Sequence, residues 1–189
     1  MIEAKSLPPR AFAPSDLSRR NLQSLLKAGS IERISRGLYR RTDLPPTDLD
    51  LAEIAAKSEL ATICLASALA KYELIDEIPS RIDLAIPRTA RLPRTDAPIR
   101  WHRFDPDTFD LGRLRLTLDG EDSEIAIYSA ERSIVDAFRL RGQAGYEMAN
   151  EALKNWLKLR ASHPVDLIKI AEQLPRASQP LASALSILT

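Results

Sequence analysis

Residues 18–41, SRRNLQSLLKAGSIERISRGLYRR, constrain this chain more than any other stretch. They read as one amphipathic helix, a glycine stop and a short hairpin with its tip at Ser35-Arg36-Gly37. At about 100° per residue, Leu22, Leu25 and Leu26 fall on one face and Arg20, Gln23, Ser24 and Lys27 on the other. Ser18 is placed to cap the helix, its hydroxyl accepting from a first-turn N–H. Gly29 follows the helix, where positive φ is cheap only for glycine. A polar helix face is commonly just solvated. Three features in sequence order favour DNA here: Gln stands on the face with Arg and Lys, the hairpin follows at once, and its tip sets Arg36 beside Gly37. A winged helix-turn-helix has this layout, with the helix in the major groove and the wing along the phosphates.

The N-terminal 17 residues are proline-rich (Pro8, Pro9, Pro14). They leave room for one helical turn at most, Pro14 to Leu17. The sequence therefore predicts a module shortened at its start, or one whose core Phe12 and Leu17 close in another way. Charge supports a separate head. Residues 1–44 hold nine basic and four acidic side chains, and the remainder 18 basic and 22 acidic, within an overall charge of +1. A basic module on a mildly acidic body suits a nucleic-acid-binding head. The stretch TDLPPTD (42–48) reads as a linker, with Thr47 or Asp48 capping the next helix. The expected domains are 1–44, a winged helix-turn-helix, and 45–189, a larger α+β domain.

That larger domain opens with two expected helices, 49–58 and 61–72, the second apolar almost all round and so buried. From 81 to 128 the period shortens to two. Strands are expected at 81–87, 98–104, 111–118 and 125–128, with Asp119-Gly120 as a hairpin turn. They make a sheet of about four strands. Helices follow from 129 to 140 (inner stripe Ile134, Val135, Phe138), at 146–160 (inward Met148, Ala152, Leu153, Trp156, Leu157), and at about 164–174 and 179–188. The fold class is α+β, with helices flanking the sheet.

Catalytic patterns are sparse. His102 and His163 lack the spacing of a metal site or triad, and the six glycines form no phosphate loop. Asp83 and Glu124 stand near strands without the clustered carboxylates and lysine of a nuclease. No enzymatic activity, cofactor or metal is expected. The single cysteine, Cys64, lies in an apolar run and reads as a small buried hydrophobe. No apolar run approaches the ~20 residues of a membrane helix, and the N-terminus lacks the apolar core of a signal peptide, so a cytoplasmic location is expected. A second basic surface is marked by Arg88, Arg91, Arg94, Arg100 and Arg103, where Trp101 and His102 are candidates to stack on bases. The bland alternative is a solubilising loop.

Four blocks carry a family resemblance: LKAGSIERISRGLYR (26–40), ICLASAL (63–69), LAIPR (84–88) and IYSAERSIVDAFR (127–139). In order and spacing the chain resembles, over about residues 17–160, the AbiEi-type antitoxins of bacterial abortive-infection (type IV toxin–antitoxin) systems. The resemblance implies a transcriptional regulator whose head binds operator DNA at inverted repeats and represses its own operon. It also implies a larger domain that counteracts a nucleotidyltransferase-like toxin in phage defence, without the tight direct complex of other antitoxins. The expected DNA-binding residues are Arg19, Arg20, Gln23, Ser24 and Lys27 on the helix, with Arg33, Ser35, Arg36, Gly37, Arg40 and Arg41 on the wing. The alternative is a protein-interaction module with a vestigial winged helix; a nuclease is a distant third.

Overall fold

The structure, a computed structural model, describes residues 6–15, 17–45, 48–118 and 123–188. Its elements run α1 (Arg19–Lys27), β1 (Ile31–Ser35), β2 (Leu38–Arg41), α2 (Leu49–Lys57), β3 (Thr62–Ile63), α3 (Leu65–Lys71), β4 (Ile82–Pro87) and β5 (Ile99–Phe104). They continue with β6 (Arg113–Thr117), β7 (Glu124–Tyr128), α4 (Ala130–Arg139), α5 (Arg141–Ala144), α6 (Tyr146–Leu157), α7 (Pro164–Gln173) and α8 (Ser178–Leu188). The fold is α+β. The chain forms two compact units: Met1–Ala61 with Leu92–Ala97 and Arg115–Ile125, and Thr62–Arg91 with Pro98–Leu114 and Ala126–Thr189. The first unit thus continues past residue 44 through α2 and takes in two later segments.

In the first unit, α1 buries Leu25 against Phe12 and Ile31, with Leu7, Leu17, Leu22 and Tyr39 packed around them. Phe12 does help to close the core, as its position before the helix suggested. It also pairs in antiparallel fashion with Tyr39, through backbone bonds of 2.8 and 2.9 Å. β1 and β2 are antiparallel, with Glu32 opposite Arg40 and an irregularity between Arg33 and Ser35. α2 is capped by Asp48, which accepts from the N–H groups of Asp50 and Leu51. The other proposed cap, Thr47, lies outside the described residues.

The larger sheet has five strands in the order β5-β4-β3-β7-β6, one beyond the expected four or so. The additional strand is β3. Residues 61–72 were expected to form one helix, but Thr62 and Ile63 pair antiparallel with β4 and parallel with β7 before α3 begins. Both residues are β-branched, which favours a strand over a helix start. The expected burial holds for Ala61 through Leu65 and for Ala68 and Leu69, whereas Ala66, Ser67, Ala70 and Tyr72 are half-buried and Lys71 is exposed. β4 is inaccessible from Asp83 to Ile86, the continuous burial of a strand covered on both faces. β4 and β5 are parallel, so the chain must cross over between them through residues 88–98. The Asp119-Gly120 turn lies outside the described residues.

α4 is the hub of the second unit. Seven consecutive residues, Arg132 to Phe138, are buried. Ile134, Val135 and Phe138 form the expected stripe within a core that includes Leu69, Leu153, Trp156, Leu167 and Leu181. Burying each such large apolar side chain contributes about 1.5–3 kcal/mol. α6 turns Ala149, Ala152, Leu153 and Trp156 inward, with Met148 and Leu157 at the edge.

Candidate nucleic-acid interface

The local sequence of α1 dictates what it shows to solvent. Ser18 adopts extended backbone and its hydroxyl accepts from Asn21 N–H at 3.2 Å. At the other end Gly29 takes φ +65°. Gly29 N–H then reaches Leu26 O at 3.1 Å and Ser30 N–H reaches Leu25 O at 3.0 Å, a Schellman closure that needs glycine's freedom. Between these caps Leu25 is buried and Leu22 half-buried. Arg19, Arg20, Gln23, Ser24 and Lys27 are all exposed. Arg19, Gln23 and Lys27 succeed one another at four-residue spacing, so they run along one line of the surface, with Arg20 and Ser24 on the line beside it. Leu26, expected on the inner face, is 37 % exposed and borders this row.

The hairpin divides its arginines. Arg36 and Gly37 are exposed at the tip, where Gly37 takes φ +76° with open space around it. Arg33 is exposed, and its guanidinium donates back to Ser35 O at 3.1 Å. Arg40, expected to reach phosphate, is buried. It pairs with Glu32 at 3.0 Å and donates to Pro45 O at 2.6 Å, so it braces the hairpin. Ser35 is buried too. Arg41 is mostly covered and held by Asp43 at 2.6–2.9 Å, with a third bond to Leu7 O at 3.3 Å. The fate of Arg40 was within reach of the sequence. In a strand it must share the face of Leu38, a core residue. Ser35 was less legible, because the irregularity after Arg33 breaks the alternation.

A second feature of this unit escaped sequence reasoning. Glu53 on α2 is only 2 % exposed. It is ion-paired with Lys57 and accepts from Thr95 Oγ1 at 2.8 Å, from Asp96 N–H at 3.3 Å and from Ala97 N–H at 3.2 Å. Burial pushes its carboxyl up, but the bonds from Lys57, Thr95 and Asp96 and the nearby Ser35 hydroxyl prevail and bring it down to about 2. Ser35 Oγ makes no hydrogen bond of ordinary geometry, so its influence on Glu53 is that of a neighbouring dipole.

The second basic surface splits. Arg94 belongs to the first unit, whereas Arg88, Arg91, Arg100 and Arg103 belong to the second. All five are exposed. Arg88 pairs with Asp105 at 2.8 Å, and Arg103 donates to Arg88 O at 2.8 Å. Trp101 and His102, proposed as joint stacking groups, are successive residues of β5 and so point to opposite faces. His102 is held by Asp83 Oδ1 at 2.8 Å, an oxygen that Arg100 also approaches at 3.8 Å, and so is not free to stack.

These contacts also account for the residues weighed for nuclease chemistry. Asp83 is buried against His102, and Glu124 accepts from Arg115 at 2.8 Å. Among the described residues no group of His, Cys, Asp and Glu is arranged to hold a metal ion. Cys64 is fully buried. Burial pushes its thiol well up, and the carboxylates of Asp83 and Asp136 push the same way. Among the described residues no helix is long and apolar enough to cross a membrane. No protein-family model and no curated protein matches the chain.

Proposed function

We propose that the chain is a cytoplasmic DNA-binding antitoxin and autorepressor of the AbiEi type, in which α1 and the β1–β2 hairpin act as a winged helix-turn-helix. The observation that carries the reading is the exposed row Arg19, Gln23 and Lys27, flanked by Arg20 and Ser24, on a helix anchored by Leu25. A glycine turn leads from it directly to a hairpin whose exposed tip is Arg36-Gly37. On this reading Gln23 pairs with an adenine edge, Arg19 or Arg20 with guanine, and Lys27, Arg33 and Arg36 with phosphates. The antitoxin role rests on the resemblance of residues 26–40, 63–69, 84–88 and 127–139 to that family. It assigns the second unit to counteracting a nucleotidyltransferase-like toxin, with no enzymatic step of its own.

The test is a salt titration of binding to the DNA upstream of the chain's own operon. With the three phosphate contacts of Lys27, Arg33 and Arg36, log K falls against log salt with a slope of about −2.7. A slope near zero overturns DNA binding. Co-expression with a nucleotidyltransferase-like toxin of the family's type tests the antitoxin role, through recovery of growth. One observation favours the alternative of a protein-interaction module: among the described residues no α-helix precedes α1. A pull-down with the neighbouring gene product, alongside failure to shift upstream DNA, would decide for it.

A further inference from the structure

One buried side chain of α2 reaches two stretches of chain that lie about sixty residues apart. Glu53 accepts from Thr95 Oγ1 and from the N–H groups of Asp96 and Ala97. Its partner Lys57 donates to Arg94 O at 3.0 Å. The same carboxylate is close enough to Ser35 to feel its hydroxyl, and α2 packs on β1. The hairpin and Leu92–Ala97 belong to the same compact unit. Ser35 is followed by the exposed Arg36, and Thr95 is preceded by the exposed Arg94. Arg94 is therefore one residue from a side chain bonded to Glu53, and Arg36 one residue beyond the strand on which α2 packs.

A duplex presents a phosphate on each strand about every 3.4 Å of helix axis. Two cations anchored around one carboxylate can reach phosphates close together on the same backbone. Loops are normally mobile, yet this one is held at three successive residues and through Lys57, so its cation is presented in a set place. We propose that Leu92–Ala97 is a second wing, in which Arg94 contacts a DNA phosphate near that of Arg36 and Glu53 and Thr95 are positioning residues. This inference rests on the DNA-binding reading of α1 and the hairpin. Asp96, exposed in the same loop, opposes Arg94, and that sets two changes of opposite sign.

The experiment measures affinity and salt slope on upstream DNA and on an unrelated duplex, using the full chain and its Arg94→Ala, Asp96→Asn and Thr95→Val variants. Arg94→Ala weakens binding several-fold on both duplexes and makes the slope shallower by about 0.9, one phosphate's share. Asp96→Asn strengthens binding several-fold. Thr95→Val removes the hydroxyl's bond to Glu53 and its acceptance from Ala97 N–H, at 2.8 and 3.0 Å, while keeping the side chain's shape. It weakens binding in the wild-type background and adds nothing in the Arg94→Ala background, an outcome a purely structural role does not produce. Unchanged affinity and slope in both Arg94→Ala and Asp96→Asn, with wild type binding normally, overturn the second wing alone. Failure of the wild type to bind either duplex overturns the DNA reading and this inference together.

Discussion

Arg132 and Asp136, one turn apart on α4, form an ion pair at 2.9 Å with both side chains fully buried. Arg132 also donates to the carbonyls of Thr108 and Leu111, at 2.8 and 2.7 Å, and its guanidinium lies 4.5 Å from the centre of the Tyr128 ring. Arg139 binds the other oxygen of Asp136 at 2.8 Å. The pair thus pins the turn before β6 to the hub helix. Its worth lies in placing that turn, since burying two charges costs about as much as their attraction returns.

Removing one partner is a different matter. Asp136→Ala leaves two arginines facing an apolar core and is expected to lower the unfolding free energy by roughly 3–5 kcal/mol. Urea denaturation at neutral pH measures it. A loss below about 1 kcal/mol would mean that water reaches the site after the change.

Two glycines with similar backbone should respond very differently to alanine. Gly112 has φ +68°, and an added Cβ would stand 2.8 Å from Arg132 Cβ. Gly37 has φ +76° with nothing within 4 Å. Gly37→Ala should cost only left-handed strain, about 1–2 kcal/mol, and Gly112→Ala clearly more because α4 cannot retreat. Thermal midpoints compare the two; equal shifts would show that the turn yields instead.

Glu53 links stability to acid. Its carboxyl titrates at about 2 in the folded chain against an ordinary 4.5. The stabilisation is therefore complete above about pH 4.5 and is lost as pH falls through about 2. At 1.36 kcal/mol per unit its size is roughly 3 kcal/mol. Unfolding measured at pH 7, 4.5 and 2.5 should show the loss in wild type and a smaller one in Glu53→Gln, whose side chain does not titrate. Identical acid limbs in the two proteins would assign the loss to other groups.

Arg36 and Arg40 should separate binding from folding. Arg40→Ala strands Glu32 and the Pro45 carbonyl, and should cost roughly 1–3 kcal/mol of stability. Arg36→Ala should leave the thermal midpoint unchanged and weaken DNA binding alike for all sequences. If Arg40→Ala unfolds at the wild-type temperature, its bracing role is refuted.

The sequence was most readable where structure is local. Ser18, Gly29 and Gly37 each mark a cap or turn formed within a few residues, and the structure places them so. The strand Thr62–Ile63 was hidden, because two residues inside an apolar run carry no period of their own. It becomes a strand only because β4 and β7 flank it. The candidate interface was half legible for the same reason. The spacing of Arg19, Gln23 and Lys27 foretells a shared surface line, whereas Ser35 turns inward because the irregularity after Arg33 breaks the strand's alternation. The grip of Glu53 on Thr95 spans 42 residues and leaves no local trace. The pairing of Arg132 with Asp136 did have one, a cation and an anion four apart on a helix, but nothing local showed that both would be buried.

The Phe12–Tyr39 bridge changes what kind of object the hairpin is. β2 has β1 along one side and Phe12 bridged to Tyr39 on the other, so the outer edge of β2 is tethered as well. A free two-stranded ribbon is marginal in water and would have to be ordered by whatever it met. Here the ordering is complete before any encounter, and side chains fixed in advance avoid about 0.5–1.5 kcal/mol of entropic cost each. On the proposed DNA-binding reading, Phe12, which contributes no recognition group of its own, acts on affinity through preorganisation.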